Sequence, residues 1–291
     1  MGWLYLSLLS AITLAICDSL SKYYLTGYSA HQSMLVRLGW TVIFLLPIYL
    51  LYPLPEVPLE FWGWIAAMVP LELGATYLFL QAIQEFPLAK TLPYMALTPV
   101  FVLLTGTVFL GEVLSPADTA GVFLVAFGTY LLNINDIRNL RWRTLMQPFV
   151  DVGRHRGARL MIIVAFVYSI TAAGTKKLLQ FVPPKEMGIF YFFFIGVVAV
   201  ILSVFRRPSS LKILWRKPLP HFLIGASFGL MVIFHFFAIE HAPVAVMIAV
   251  KRTSILFGII LGAVFFGERR LLQSLLAASV MIAGVALIVL A

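Results

Sequence analysis

Two adjacent cations, Lys251 and Arg252, stand inside an otherwise apolar stretch, Val244 to Phe266. Counted along a helix from the start of that stretch, they lie roughly 12 Å into a hydrocarbon layer about 30 Å thick. Placing a charge at such depth costs at least about 2.5 to 3.5 kcal/mol, so these side chains must face a wet cavity or partner groups rather than lipid. An arginine offers a planar fork suited to phosphate or carboxylate, and a lysine a mobile point charge, so the pair is equipped to hold an anion. Arg37, roughly 9 Å inside a second apolar stretch with no acidic residue at helical spacing, is a further candidate for the same cavity.

Other residues qualify as partners. Counting only positions at least three residues inside the ends of the apolar stretches, the cations Lys22, Arg37, Lys90, Lys176, Lys177, Lys251 and Arg252 face only Asp18 and Glu72, so internal neutralisation cannot consume them all. Asp18 and Lys22, four residues apart, can pair within one helix, and Lys90, Lys176 and Lys177 lie near stretch ends from which they can snorkel to headgroups. Glu72 is positioned to balance the cations when no ligand is bound, or to carry a coupling proton. His235 has the intrinsic pKa for a proton role, although Phe234, Phe236 and Phe237 surround it in sequence. Tyr94 and Thr98 occupy in the first half the place that Val250 and Ser254 hold in the second, and are expected to line the opposite wall with hydrogen-bonding groups. Pro93 and Pro99 interrupt that stretch and permit a kink at membrane depth.

The elements that must position these residues follow from composition. The chain is 62% hydrophobic and 11% charged, with a mean hydropathy of +0.99. A soluble domain carries about 25% charged residues, so the chain reads as a polytopic membrane protein. Apolar windows predict ten spans, near 3–25, 31–52, 59–83, 87–110, 116–134, 159–180, 186–205, 219–239, 243–266 and 271–290. The first begins without a basic leader and reads as a retained helix. Proline-rich breaks at Pro53, Pro55 and Pro58, at Pro183-Pro184 and at Pro218 and Pro220 separate neighbours.

The sequence also repeats itself. Ala82-Ile83, Pro87, Gly106 and Gly111-Glu112 recur as Ala238-Ile239, Pro243, Gly262 and Gly267-Glu268, each 156 positions on. With five spans per copy, the second half enters the membrane from the opposite side, and mirrored halves of this kind build transporters that alternate access around a site between them. The expected domains are a first five-helix repeat over 1–134, a basic linker over 135–158 and a second repeat over 159–291. Two GxxxG patterns, Gly225 to Gly229 and Gly258 to Gly262, predict close helix approach.

Charge sets orientation and excludes other classes. Arg138, Arg141, Arg143, Arg154, Arg156 and Arg159, the cations of 206–217, and Arg269-Arg270 fall on one side, against Lys185 on the other. The basic side is then cytoplasmic and both termini lie outside the cytoplasmic membrane. The arginines between the halves, interleaved with Trp142 and Phe149, read as a surface lying on anionic lipid headgroups rather than on nucleic acid. Cys17 is the sole cysteine, so there is no intrachain disulfide and no paired-cysteine metal site. No phosphate-cradling glycine loop, nucleophile with base, or metal-ligand spacing is present, so neither an enzyme nor a cofactor is expected.

The duplicated block, from Ala82-Ile83 to Gly111-Glu112 with Gly121 and Gly128 following, and from Ala238-Ile239 to Gly267-Glu268 with Gly284 following, resembles the EamA-type repeat of the drug/metabolite transporter superfamily. The resemblance covers nearly the whole chain and implies ten helices around a central cavity that carries solutes. Val250-Lys251-Arg252 is further similar to the lysine-arginine pair with which the triose-phosphate and sugar-phosphate branch holds phosphate. That branch places a second lysine where this chain has Met95, which argues against classical sugar-phosphate antiport and leaves an anionic headgroup. The expected cargo is an organic anion, phosphate-bearing and either a free metabolite or lipid-linked, carried by a monomer or homodimer. The alternatives are export of amino acids or amphipathic metabolites, and a non-transporting assembly subunit.

Overall fold

The computed structural model describes residues 2–86, 92–132, 155–206, 208–258, 261 and 271–290. Among these residues the chain is helical throughout, without strands. The helices are α1 (Gly2–Tyr24), α2 (Ala30–Leu51), α3 (Leu59–Glu85), α4 (Leu97–Leu110), α5 (Pro116–Leu132), α6 (Arg156–Leu178), α7 (Pro184–Arg206), α8 (Pro218–Glu240), α9 (Val244–Lys251) and α10 (Leu271–Leu290). Short 3-10 turns over Leu92–Ala96 and Pro208–Trp215 precede α4 and α8.

Six of these, α1, α2, α3, α6, α7 and α8, are long and apolar enough to cross a membrane, which makes this a multi-pass membrane protein. An all-helical architecture is what the hydrocarbon layer demands, because a helix satisfies its own backbone donors and acceptors. The linker over 135–154, Pro87, Lys90, and the Gly262 and Gly267-Glu268 part of the second motif lie outside the described residues.

Caps and turns explain the helix boundaries. Ser29 caps α2 through a reciprocal arrangement in which its hydroxyl accepts the Gln32 N–H and the Gln32 side chain accepts the Ser29 N–H at 2.9 Å. Gly111 ends α4 at φ +66°, a left-handed cap that glycine adopts without strain. Both repeated alanines accept a closing bond at the ends of their helices: Phe86 N–H donates to Ala82 O four residues back, and His241 N–H donates to Ala238 O three residues back, both at 3.2 Å.

Helix pairing follows the internal repeat. α1 packs on α8 as α6 packs on α3, and α4 packs on α6 as α9 packs on α1. The pairs α2 with α7, α4 with α9 and α5 with α10 join corresponding helices of the two copies. Small residues permit the closest approaches. A Cβ added at Gly225 would lie 2.6 Å from Trp40 Cβ and 2.7 Å from Thr41 N, and the Thr41 hydroxyl donates to Gly225 O at 3.1 Å. The first GxxxG pattern therefore seats α8 against α2. A Cβ at Gly258 of the second pattern meets no described residue within 4 Å, and Gly262 of that pattern lies outside the described residues.

The structure corrects the ninth span. The window 243–266 reads as a continuous helix, yet α9 stops at Lys251 and gives a turn at Arg252–Thr253 before helix resumes at Ser254. The ladder tightens there: Thr253 N–H donates to Val250 O at 3.0 Å, and the Thr253 hydroxyl donates to the same carbonyl at 2.8 Å. The expected break before α4, where Pro93 falls, occupies the matching place in the first copy, with 3-10 geometry up to Ala96. Irregular backbone at membrane depth is tolerated where it borders protein or a water-filled cavity.

Candidate functional site

These two breaks border a central cavity of about 160 Å³. Helices α1, α2, α3, α4, α6, α7, α8 and α9 all contribute lining residues, whereas the described residues of α5 and α10 contribute none. Lys251, Arg252, Arg37, Glu72, His235 and Thr98 all border this one space. Residues from five helices and the Arg252 turn, separated by up to 215 positions in sequence, thus meet where the copies face each other. Tyr94 is the exception. It is buried in an apolar cluster with Ala82, Met161, Val164 and Ala165, and its neighbour Met95 borders the cavity instead. Inside the 3-10 turn, successive side chains diverge, so only one of the two can face inward.

The cationic end is held by α8 and α9. Lys251 Nζ lies 3.3 Å from His235 Nδ1, within hydrogen-bonding distance. This contact sets the His235 ring against Lys251 at the same end of the cavity. Among the described residues neither Lys251 nor Arg252 has a carboxylate within 4.0 Å. Glu72 borders the same cavity as Lys251 without forming an ion pair with it, and Thr171 lines the cavity with it.

Arg37 departs from expectation. Sequence spacing leaves it without an acidic partner, but Asp18 of α1 reaches across to it, with Arg37 Nη2 to Asp18 Oδ1 at 2.7 Å. The Ser21 hydroxyl accepts a second bond at 3.2 Å, and the guanidinium lies 5.5 Å from the Phe228 ring centroid. Arg37 is therefore an anchored cation, with Asp18 as its counter-charge.

Lys176 does not snorkel. Its ammonium donates to Glu112 Oε1 at 2.7 Å and to Ala242 O, while Glu112 Oε2 accepts the Val244 N–H at 2.9 Å. The second residue of the first Gly-Glu motif thereby caps α9 and ties together three segments at one end of the bundle.

Unpartnered polar atoms define what the cavity can bind. Among the described residues, Arg37 Nε, Arg252 Nε, Thr98 Oγ1 and Tyr191 OH are buried without a hydrogen-bond partner, and all four belong to lining residues. Each carries a hydrogen to donate. Buried donors are ordinarily paired, so such a group is a place for water or a ligand acceptor. The remaining wall is apolar and aromatic, with Phe79, Phe192, Phe228 and Phe236 beside Met231 and Val232.

Sequence reasoning misses Asp18, Tyr168, Thr171, Thr175 and Tyr191 as lining residues. Tyr168, Thr171 and Thr175 share one face of α6 at helical spacing, a polar stripe that could have been read. Tyr191 is hidden within the aromatic run Phe190 to Phe194, distinguished only by its hydroxyl.

Fold and site together define a polytopic helical protein with a donor-rich cavity between two related sets of helices. The EamA-like transporter family model matches residues 1–134 and 155–290. The chain belongs to the EamA-like transporter family, and as a member it is a membrane transporter of small molecules. No curated protein matches the chain. A solved structure described as "Crystal structure of protein" is similar to it with a TM-score of 0.66, over 98% of this chain and 94% of that one, at 16% sequence identity. That likeness concerns the fold.

Proposed function

We propose that this chain is a secondary transporter that moves an organic anion, phosphate-bearing in its head group, across the cytoplasmic membrane by alternating access. The two halves, 1–134 and 159–291, act as inverted five-helix repeats joined by the basic linker 135–158, with both termini outside. The observation that carries the reading is the set of buried donors, Arg37 Nε, Arg252 Nε, Thr98 Oγ1 and Tyr191 OH, around the cavity that holds Lys251. An oxyanion supplies the acceptors these groups lack and the charge that Lys251 and Arg252 have no near carboxylate to offset. Lys251 and Arg252 bind the head group, His235 orients Lys251, and Glu72 competes for the cations or carries a coupling proton.

The Phe192, Phe228 and Phe236 wall favours a second reading in which the anion is amphipathic and its head is a carboxylate. An apolar body buries against those rings, whereas a heavily hydroxylated sugar would bring more polar groups than the wall can pair.

Both readings are tested by thermal melting of the purified protein against phosphate esters, nucleotide sugars, isoprenyl phosphates, amino acids and aryl carboxylates, because ligands of the folded state raise the melting point. A shift with an anion, lost in Lys251→Gln and Arg252→Gln, supports the site. Equal shifts in wild type and both variants overturn it.

A further inference from the structure

Resting on the anion-binding reading above, we infer that Tyr191 is a specificity-determining residue, whose hydroxyl donates to an acceptor oxygen on the carried molecule. The residue is 1% exposed and belongs to the cavity lining, and its hydroxyl has no partner among the described residues. The ring is fixed by its neighbours, edge-on to Phe192 at 5.3 Å between centroids and tilted against Phe236 at 6.4 Å. It therefore cannot swing its hydroxyl to bulk water without repacking that aromatic cluster.

The other lining hydroxyls show why this one matters. Tyr168 OH lies 3.3 Å from Thr76 Oγ1, the Thr175 hydroxyl donates to Thr171 O at 2.7 Å, and the Thr171 hydroxyl donates to Tyr168 O at 3.4 Å. Each of those three has a protein partner. Among the lining hydroxyls Thr98 and Tyr191 remain unpartnered, one beside the first helical break and one on α7 in the aromatic wall. Tyr191 is thus a polar point on a surface otherwise built from phenyl rings and aliphatic side chains. A buried donor of this kind rejects ligands that cannot pair with it, because binding them seals it away from water unpaired.

The test compares wild type, Tyr191→Phe and Lys251→Gln in detergent or nanodiscs, by thermal melting and by titration with inorganic phosphate, glycerol phosphate, farnesyl phosphate, phenylpyruvate and hydrocinnamate. Phenylpyruvate carries a keto oxygen that hydrocinnamate lacks, so the last two separate an acceptor from the charged group. The expected result for Tyr191→Phe is a roughly ten-fold loss of affinity for the tightest wild-type ligand. Its ligand-free melting point should be unchanged or higher, since the variant deletes an unpaired hydroxyl and keeps the ring. Unchanged affinity in Tyr191→Phe alongside loss in Lys251→Gln overturns the Tyr191 role alone. A lowered ligand-free melting point together with weaker binding also overturns it, because the hydroxyl is then structural. A wild type that binds none of these anions overturns both this inference and the proposed function. Wild-type affinity in Lys251→Gln overturns the anion site.

Discussion

Glu112 and Lys176 form a buried ion pair at 2.7 Å, with side chains 15% and 17% exposed, and the second oxygen of Glu112 caps α9 at Val244. One carboxylate thus joins the end of α4, the end of α6 and the start of α9. Breaking such a pair leaves the other charge buried. Glu112→Gln and Lys176→Met should each cost about 3 kcal/mol, the lower end for buried pairs because some solvent reaches both groups. The double variant should cost less than the sum of the two. Thermal melting of the four proteins checks this, and additivity would show that the two charges act independently.

Replacing Lys251 or Arg252 with Gln should lower transport in proteoliposomes at least ten-fold while leaving the melting point unchanged or raised. Each substitution deletes a half-buried charge that has no carboxylate within 4.0 Å among the described residues, so function and stability move in opposite directions. Undiminished flux in both variants would remove these residues from the transport site.

Asp18 and Arg37 are unequal partners. The Arg37 side chain is 5% exposed and the Asp18 side chain 44%, so removing Asp18 strands a buried guanidinium, whereas removing Arg37 leaves a carboxylate that water can reach. Asp18→Asn should therefore destabilise more than Arg37→Met. Because it also raises the positive charge of the cavity, Asp18→Asn should tighten anion binding. Melting curves and ligand titrations of the two variants decide both points.

Gly225 and Gly258 should respond differently to alanine. At Gly225 the new methyl meets Trp40 and the Thr41 backbone at 2.6 and 2.7 Å, so α2 and α8 must part, at a cost of about 1 to 3 kcal/mol. Gly258 meets no described residue within 4 Å, and alanine there should be neutral or slightly stabilising through its helix propensity. Equal tolerance of both would contradict the tight α2–α8 seam.

Much of this architecture is legible in the sequence because lipid imposes simple rules. Long apolar windows in the sequence coincide with α1, α2, α3, α6, α7 and α8. Isolated charges inside apolar stretches are costly, and for that reason Lys251, Arg252, Arg37 and Glu72 were conspicuous. What escaped depends on contacts between helices. The Asp18–Arg37 and Glu112–Lys176 pairs join residues 19 and 64 positions apart, and no helical spacing foretells them. The turn at Arg252–Thr253 carries no proline to announce it, and the Thr253 hydroxyl that stabilises it is an ordinary residue in a helix. Tyr94 differs from Tyr191 in burial partners rather than in type, and neighbouring residues in a chain cannot reveal that.

The outer pair α5 and α10 stands apart from this chemistry. Gly121 and Gly284 bring the two backbones together so closely that a Cβ at Gly284 would lie 2.8 Å from Gly121 O, and their described residues touch none of the cargo space. Selection can therefore alter the exposed residues of this brace without retuning the groups that line the cavity.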